Sequence, residues 1–151
     1  MMNSHLQPLL EKTEFATMFY GIIDIAANCL MYASAGVPAP VLCARGKAAP
    51  ICLDGRGFPL GMLPHAVYET QYTAFMPGDL LVFFSDCLVE TRNAKGEFIS
   101  DAAIQRSLQK TMLREGDYAQ SAIEDLRQLL ASHSCAPLMD DMTINAYWRR
   151  G

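Results

Sequence analysis

Three aspartates stand where the surrounding pattern predicts the ends of strands. Asp86 directly follows the apolar run LLVFFS, and Asp140 and Asp141 immediately precede the run MTINAYW. Carboxylates held at strand ends suit Mg²⁺ or Mn²⁺, because these hard cations bind oxygen ligands in near-octahedral geometry. Aspartate is also favoured in turns. The spacing alone is therefore compatible with two interpretations, a divalent-metal site and ordinary strand ends.

The cysteines and histidines do not suggest a second kind of metal site. No two cysteines lie within a C-x-x-C spacing, and the three histidines share no ligand spacing with them, which argues against zinc. An odd number of cysteines in mostly apolar surroundings indicates buried, reduced thiols. The residues concerned are Cys29, Cys43, Cys52, Cys87, Cys135, His5, His65 and His133.

Composition restricts the classes of protein that fit. The 151 residues are 51% hydrophobic and 19% charged with a formal net charge of −4, which predicts one globular domain, or part of one, over 1–151. The basic residues are scattered, so a nucleic-acid partner is not expected. No apolar run approaches the length of a spanning helix, and the first residues lack the features of a secretory signal. We therefore expect a cytoplasmic protein with no membrane partner.

The periodicity predicts a block of strands, then two helices, then a last strand. The strand-like runs are FATMFYGII, CLMYASAG, PVLCA, YETQYTAF, LLVFFS and MTINAYW, with a hairpin connection at 24–28. A short helix precedes them, and 49–66 is expected to be an irregular loop. Apolar residues at helical spacing predict helices over 101–113, with Ser100 or Asp101 as cap, and over 118–133. This order is typical of an α+β fold in which helices cover a mostly antiparallel sheet.

Six segments in order resemble one enzyme family. PGDLLVFFSDCLVETRN, from Pro77 to Asn93, is similar to the PGDxLxLYTDGLTEARN segment of bacterial PPM/PP2C-type serine/threonine phosphatases, in the sporulation-stage-II-E/RsbU-like subgroup. The resemblance covers about Phe15 to Arg150. The other matching segments are FATMFYGIID, YASAGVPAPVL, FPLGML, KGEFIS and DDMTINAYWRR.

The resemblance implies a fold, a reaction and a set of residues. The implied fold is a PP2C-like β-sandwich of mostly antiparallel sheets flanked by helices, here lacking the amino-terminal strands. The implied reaction is hydrolysis of a phosphoserine or phosphothreonine by hydroxide bound to two Mn²⁺ or Mg²⁺ ions, with no catalytic protein nucleophile. By motif match Asp86 and Asp140 are metal ligands, and Asp141 is an outer residue of the same metal site. The implied partner is a phosphorylated anti-sigma-factor antagonist or a similar regulator.

Three departures from the family pattern affect the expected activity. The family's G-D-x-x-D-like acidic motif has no counterpart here, and Val37 replaces a histidine. Cys87 replaces a glycine, and its Cβ is expected to strain the loop that positions Asp86. Two carboxylates offset only half the charge of two divalent cations, so weak or single occupancy is expected. The sequence therefore leaves two functions open, a phosphatase domain that is slow or inactive in this form, and a degenerate, non-catalytic interaction module. With the amino-terminal strands absent, one sheet edge should be exposed, which predicts a homodimer or a larger assembly.

Overall fold

The structure is a computed structural model that describes residues 2–11, 13–53, 57–135 and 137–150. The helices are α1 (Met2–Leu6), α2 (Asp86–Glu90), α3 (Asp101–Met112) and α4 (Tyr118–His133), with a 3-10 turn at Gln7–Leu9. The strands are β1 (Met18–Asp24), β2 (Cys29–Ala35), β3 (Val41–Cys43), β4 (Ile51–Cys52), β5 (Gln71–Ala74), β6 (Leu80–Phe84) and β7 (Ile144–Trp148). None of the described helices combines the length and the apolar character needed to cross a membrane.

The chain forms two compact units, and the first contains a three-stranded antiparallel sheet. This unit is drawn from Met1–Val37 and Asp54–Phe75, and its strand order is β1-β2-β5. The predicted hairpin is confirmed, since β1 pairs with β2 in a register that ends with Asp24 opposite Cys29. Inside the turn, the Ala27 N–H donates to Asp24 Oδ1, and Asn28 takes a positive φ of 52°. Asparagine tolerates this left-handed conformation better than most residues, which explains its place in the turn.

The second unit contains a four-stranded antiparallel sheet and the two long helices. It comprises Pro38–Leu53 and Met76–Gly151, with strand order β4-β3-β6-β7. The run LLVFFS forms β6, a central strand, and Leu80, Leu81 and Val82 are all at most 2% exposed. Successive side chains of a strand point to opposite faces, so the prediction that this strand is buried on both faces is confirmed. The core of this unit consists of Val41, Cys43, Leu80, Val82, Leu88, Ile99, Ile104, Leu108, Ala122, Leu126 and Leu130.

Both predicted long helices are present, and each begins at a side-chain cap. The Ala103 N–H donates to the Ser100 hydroxyl at the start of α3, which identifies Ser100 as the cap. Asp117 caps α4 by accepting from two backbone N–H groups of its first turn. A buried hydroxyl links the two helices, because Thr111 Oγ1 donates to Asp125 Oδ2 at 2.6 Å. The order of elements confirms the α+β class with antiparallel sheets flanked by helices.

Three expectations about individual elements need correction. The irregular loop expected over 49–66 contains the short strand β4, which pairs with β3. The strand predicted for YETQYTAF is confined to β5, whose four residues pair with β2, and Tyr72 on it is 68% exposed. The expectation of buried thiols holds for Cys43 and Cys87 but is wrong for Cys52 and Cys135, which are exposed. Cys52 ends the two-residue edge strand β4, and Cys135 follows the end of α4, so neither lies on a covered face.

A buried carboxylate fixes the start of β6. Asp79 is 2% exposed, and its two oxygens accept from the Arg45 N–H at 2.8 Å and the Met76 N–H at 2.7 Å. Its own carbonyl accepts from the Arg149 N–H. Burial, followed by the charge of Asp79, raises the pKa of the Cys43 thiol to about 12. The thiol therefore stays neutral at physiological pH. The carboxylate and the carbonyl of Asp79 together join the segments of Arg45, Met76 and Arg149 at the start of β6.

Asp79→Ala should lower the free energy of unfolding by about 2–4 kcal/mol. The reason is that the fold loses a buried carboxylate and the two part-buried hydrogen bonds that it accepts from the N–H groups of Arg45 and Met76. Urea denaturation of the variant beside the parent chain measures the loss. Glu115→Ala, an exposed acidic residue, is the matched control and should stay within about 0.5 kcal/mol of the parent. Equal unfolding midpoints for Asp79→Ala and the control would contradict this role.

Candidate metal centre

The pairing of β6 with β7 brings the predicted aspartates to the same end of one sheet. The two strands are antiparallel, and their register ends with Phe84 opposite Ile144. Residues that follow β6 therefore lie beside residues that precede β7. Asp86 follows β6 as the first residue of α2, and Asp140 lies in the segment before β7. All of these residues belong to the second unit, so the candidate site is built within one compact body.

Ser85 joins the two segments through backbone and side-chain hydrogen bonds. The Ser85 N–H donates to the Thr143 carbonyl at 2.9 Å, and the Thr143 N–H donates back to Ser85 Oγ at 3.0 Å. The same hydroxyl donates to the Asp141 carbonyl at 3.1 Å. These bonds extend the contact between the segments beyond the last pair of the strands.

Cys87 adds a second link on the other side of Asp86. Its thiol is buried and donates to the Asp140 carbonyl at 3.4 Å. Cys87 lies within α2, and among the described non-glycine residues the positive φ is found at Asn28, not here. The expectation that the Cβ of Cys87 strains the backbone is therefore wrong, because the residue has an ordinary helical conformation. We call the hydrogen bonds made by Ser85 and Cys87 the clasp.

The two carboxylates are exposed and each is oriented by the residue that follows it. Asp86 Oδ1 accepts from the Cys87 N–H at 3.0 Å, and Asp140 Oδ1 accepts from the Asp141 N–H at 2.7 Å. A carboxylate has two oxygens and about four lone-pair positions, so these bonds leave each group able to bind a cation. Asp141 is also exposed, and its backbone takes part in the clasp.

The described residues suit one divalent cation better than two. Within 2–11, 13–53, 57–135 and 137–150, no group of three or more His, Cys, Asp or Glu side chains is placed to hold a metal ion. A hydrated Mg²⁺ is commonly held through one or two carboxylates, because it keeps several of its waters. Two ions bound close together need more anionic oxygens than this pair offers. These residues alone therefore do not fit a dinuclear centre.

The sequence pattern located the aspartates but missed both the clasp and α2. Ser85 carries no motif of its own, and its bonds depend on residues far along the chain. A five-residue helix is also too short to show a helical period. The local signal that could have been used is a serine followed by an aspartate, which is a common way to begin a helix.

The chain matches one protein family over nearly its whole length. The family described as Stage II sporulation protein E (SpoIIE) matches residues 1–149. The chain belongs to the SpoIIE family. Among curated relatives, phosphoserine phosphatase RsbU of Bacillus subtilis is 24% identical over 143 residues, which cover 95% of this chain and 42% of RsbU.

Solved structures show that the fold is that of PP2C phosphatase domains. The RsbU and RsbW domains of Rv1364c from Mycobacterium tuberculosis give a TM-score of 0.75 at 24% identity, covering 89% of this chain and 37% of that one. The manganese-presoaked phosphatase domain of Bacillus subtilis SpoIIE gives 0.71 at 19% identity, covering 97% and 62%. The expected PP2C-like fold class is confirmed. This member of the SpoIIE family spans less than two thirds of each of these proteins.

Ser85→Ala should loosen the end of the β6–β7 pair without unfolding the chain. The change removes the acceptor of the Thr143 N–H and the donor to the Asp141 carbonyl, at an expected cost of about 1–2 kcal/mol. Hydrogen exchange followed by NMR should show faster exchange at Thr143. Ser132→Ala is the matched control, since that exposed hydroxyl donates to one carbonyl within α4. Unchanged exchange at Thr143 would show that the clasp does not hold the site.

Proposed function

We propose that this chain forms the carboxyl-terminal part of a metal-dependent protein serine/threonine phosphatase domain of the RsbU type. The observation that carries the proposal is the clasp, which ties the segment bearing Asp86 to the segment bearing Asp140 in a chain of the SpoIIE family. A stable arrangement of two acid-bearing segments is what an oxygen-ligand metal site requires.

In this proposal Asp86 and Asp140 hold the metal, and Asp141 is an outer residue of the site. The ion would be Mn²⁺ or Mg²⁺, both of which prefer carboxylate oxygens. When bound, such an ion supplies positive charge next to phosphoryl oxygens. The chain's own contribution is to orient the two carboxylates through the N–H groups of the residues that follow them. Cys87 and Ser85 keep the main chain of both segments in place.

The proposed substrate is a phosphorylated regulator of the anti-sigma-factor-antagonist type. RsbU, a relative in sequence, is a phosphoserine phosphatase, and the similar Rv1364c structure contains an RsbU and an RsbW domain. These relatives support a protein substrate in a partner-switching system.

A non-catalytic interaction module is the second candidate. It is favoured by the finding that, in the described part of the chain, no three potential metal ligands are placed to hold an ion. With two carboxylates offsetting half the charge of two cations, a doubly loaded centre would be sparsely populated. A module of this kind would keep the fold and the clasp while lacking turnover.

A Mn²⁺ titration separates the two candidates. The phosphatase proposal predicts that the chain binds Mn²⁺, followed by the EPR signal of the free ion, and hydrolyses p-nitrophenyl phosphate slowly and in a Mn²⁺-dependent way. Asp86→Asn should weaken binding by about tenfold or more, since even outer residues of metal sites change affinity by about 10–100-fold. Turnover should disappear with it.

The matched control is Asp101→Asn. Asp101, like Asp86, is an exposed aspartate and the first residue of a helix, but it lies outside the candidate site. It should bind Mn²⁺ as the parent does. Mn²⁺ binding that is equal in all three proteins would contradict the metal assignment. Equal background rates of hydrolysis would leave the interaction module as the function of this chain.

We also propose that the chain self-associates through the edge strand β1. In the described residues β1 forms one edge of its sheet, and Tyr20 and Ile22 on it are 57% and 47% exposed. Exposed edges with apolar side chains favour pairing with another chain. Sedimentation velocity at micromolar concentration should show a dimer or larger species, and Tyr20→Lys should shift it toward monomer. A parent chain that sediments as a clean monomer would contradict this proposal.

A further inference from the structure

A cleft adjoins the candidate metal centre on the side of α2. Its volume is about 340 Å³, and it lies between the end of α2 and the segment that precedes β7. Asp140 and Cys87, which belong to the metal centre and its clasp, form part of its wall. A group bound in the cleft would therefore lie next to a proposed metal ligand.

Arg92 lines this cleft and is held in place by two contacts. Its Nη1 donates to the Gly96 carbonyl at 3.0 Å, and its guanidinium carbon lies 4.1 Å from the centre of the Phe98 ring. Stacking on an aromatic face and a hydrogen bond at one end fix the plane of the guanidinium. Arginine has several further N–H donors, so a fixed guanidinium can still bind an anion. These two contacts order part of this long side chain before a ligand arrives.

The charges and the apolar rim of the cleft limit what it can bind. Among the described residues that line the cleft Arg92 is the one cation, and Glu90 and Asp140 are the acids. An anion would therefore contact Arg92 and be repelled by Glu90 and, without a bound cation, by Asp140. Leu138 and Met139 are 43% and 103% exposed on the same cleft. Such exposed apolar side chains suit contact with an apolar residue of a partner.

We infer that Arg92 binds the phosphoryl group of a phosphoserine segment and that an apolar residue beside the phosphoserine packs on Leu138 and Met139. The inference deepens the proposed phosphatase function and rests on it for the identity of the anion. Arg92 would act as a substrate-binding residue that delivers the phosphoryl group to the side of the cleft where Asp140 lies. It takes no part in holding the metal.

The test is an NMR titration of the whole ¹⁵N-labelled chain with a capped peptide, Ala-Leu-phosphoserine-Leu-Ala, first without metal and then with Mg²⁺. The same peptide without phosphate and inorganic phosphate are the comparison ligands. We expect the phosphopeptide to shift the signals of Arg92, Gly96 and Met139 and to bind more tightly than either comparison ligand. Arg92→Ala should weaken it about tenfold, the loss expected for one hydrogen bond to a charged group.

Two further variants make the result specific. Arg106→Ala changes an exposed arginine on α3 and should bind the phosphopeptide as the parent does. Arg92→Lys keeps the charge but loses the planar stack on Phe98, so it should fall between the parent and Arg92→Ala. Dispersed NMR spectra of each variant confirm that the fold is retained.

Three results would overturn the inference: no binding of the phosphopeptide to the parent chain, equal binding by Arg92→Ala and the parent, or equal binding of the peptides with and without phosphate. The metal-free arm keeps this test separate from the proposed function. Loss of Mn²⁺ binding in Asp86→Asn together with unchanged phosphopeptide binding in Arg92→Ala would refute the role of Arg92 alone. Arg92-dependent binding in a chain that binds no Mn²⁺ would refute the metal assignment alone.

Discussion

The antiparallel pairing of β6 with β7 is the constraint on which the second unit depends. β6 also pairs with β3, so this one strand joins both halves of the four-stranded sheet, and its first three residues are fully buried. The core beneath α3 and α4 is built on its side chains. Because the register ends with Phe84 opposite Ile144, the same pairing decides which later residues face each other. The candidate site is therefore a consequence of the sheet.

Both ends of β6 are fixed by hydrogen bonds that do not belong to the strand ladder. At the start, the buried Asp79 carboxylate accepts from two N–H groups of neighbouring segments. At the end, Ser85 exchanges bonds with Thr143. A slip of one residue would turn every side chain of a strand to the opposite face. Fixing both ends opposes such a slip, and it thereby keeps Asp86 beside the segment that carries Asp140.

Local patterns predicted the parts of this fold that have a long, regular signal. The unbroken apolar run of β6, the period of α3 and α4, and the hairpin around Asn28 are each encoded within a few neighbouring residues. The extent of β5 was wrong, because the alternation of YETQYTAF does not encode that pairing with β2 covers four residues. The exposure of Cys52 had the same cause, since the apolar character of a short run does not reveal that it will form a sheet edge.

The acidic residues of the candidate site could be proposed from the sequence, whereas the hydrogen bonds that position them could not. Asp86 and Asp140 follow from strand ends and from the resemblance to a family, both of which are visible in the sequence. The bonds of Ser85 and Cys87 join residues more than fifty positions apart, and no local propensity carries that information. The expected strain at Cys87 was wrong for a related reason. It assumed the backbone of a glycine, whereas the residue here lies in a short helix.

The hydrogen bonds of the clasp are uncharged, and this affects the electrostatics of the site. Two carboxylates on neighbouring segments repel each other, and this repulsion is weakened by a cation between them or by the solvent around them. The bonds that hold the segments together are neutral, made by a hydroxyl, a thiol and backbone groups, and each carboxylate is exposed. None of these bonds uses a carboxylate oxygen, so neither a proton nor a metal ion on the acids replaces them. The positions of the two segments are therefore set by the fold, and metal affinity is left to depend on the number of charged oxygens that reach the ion.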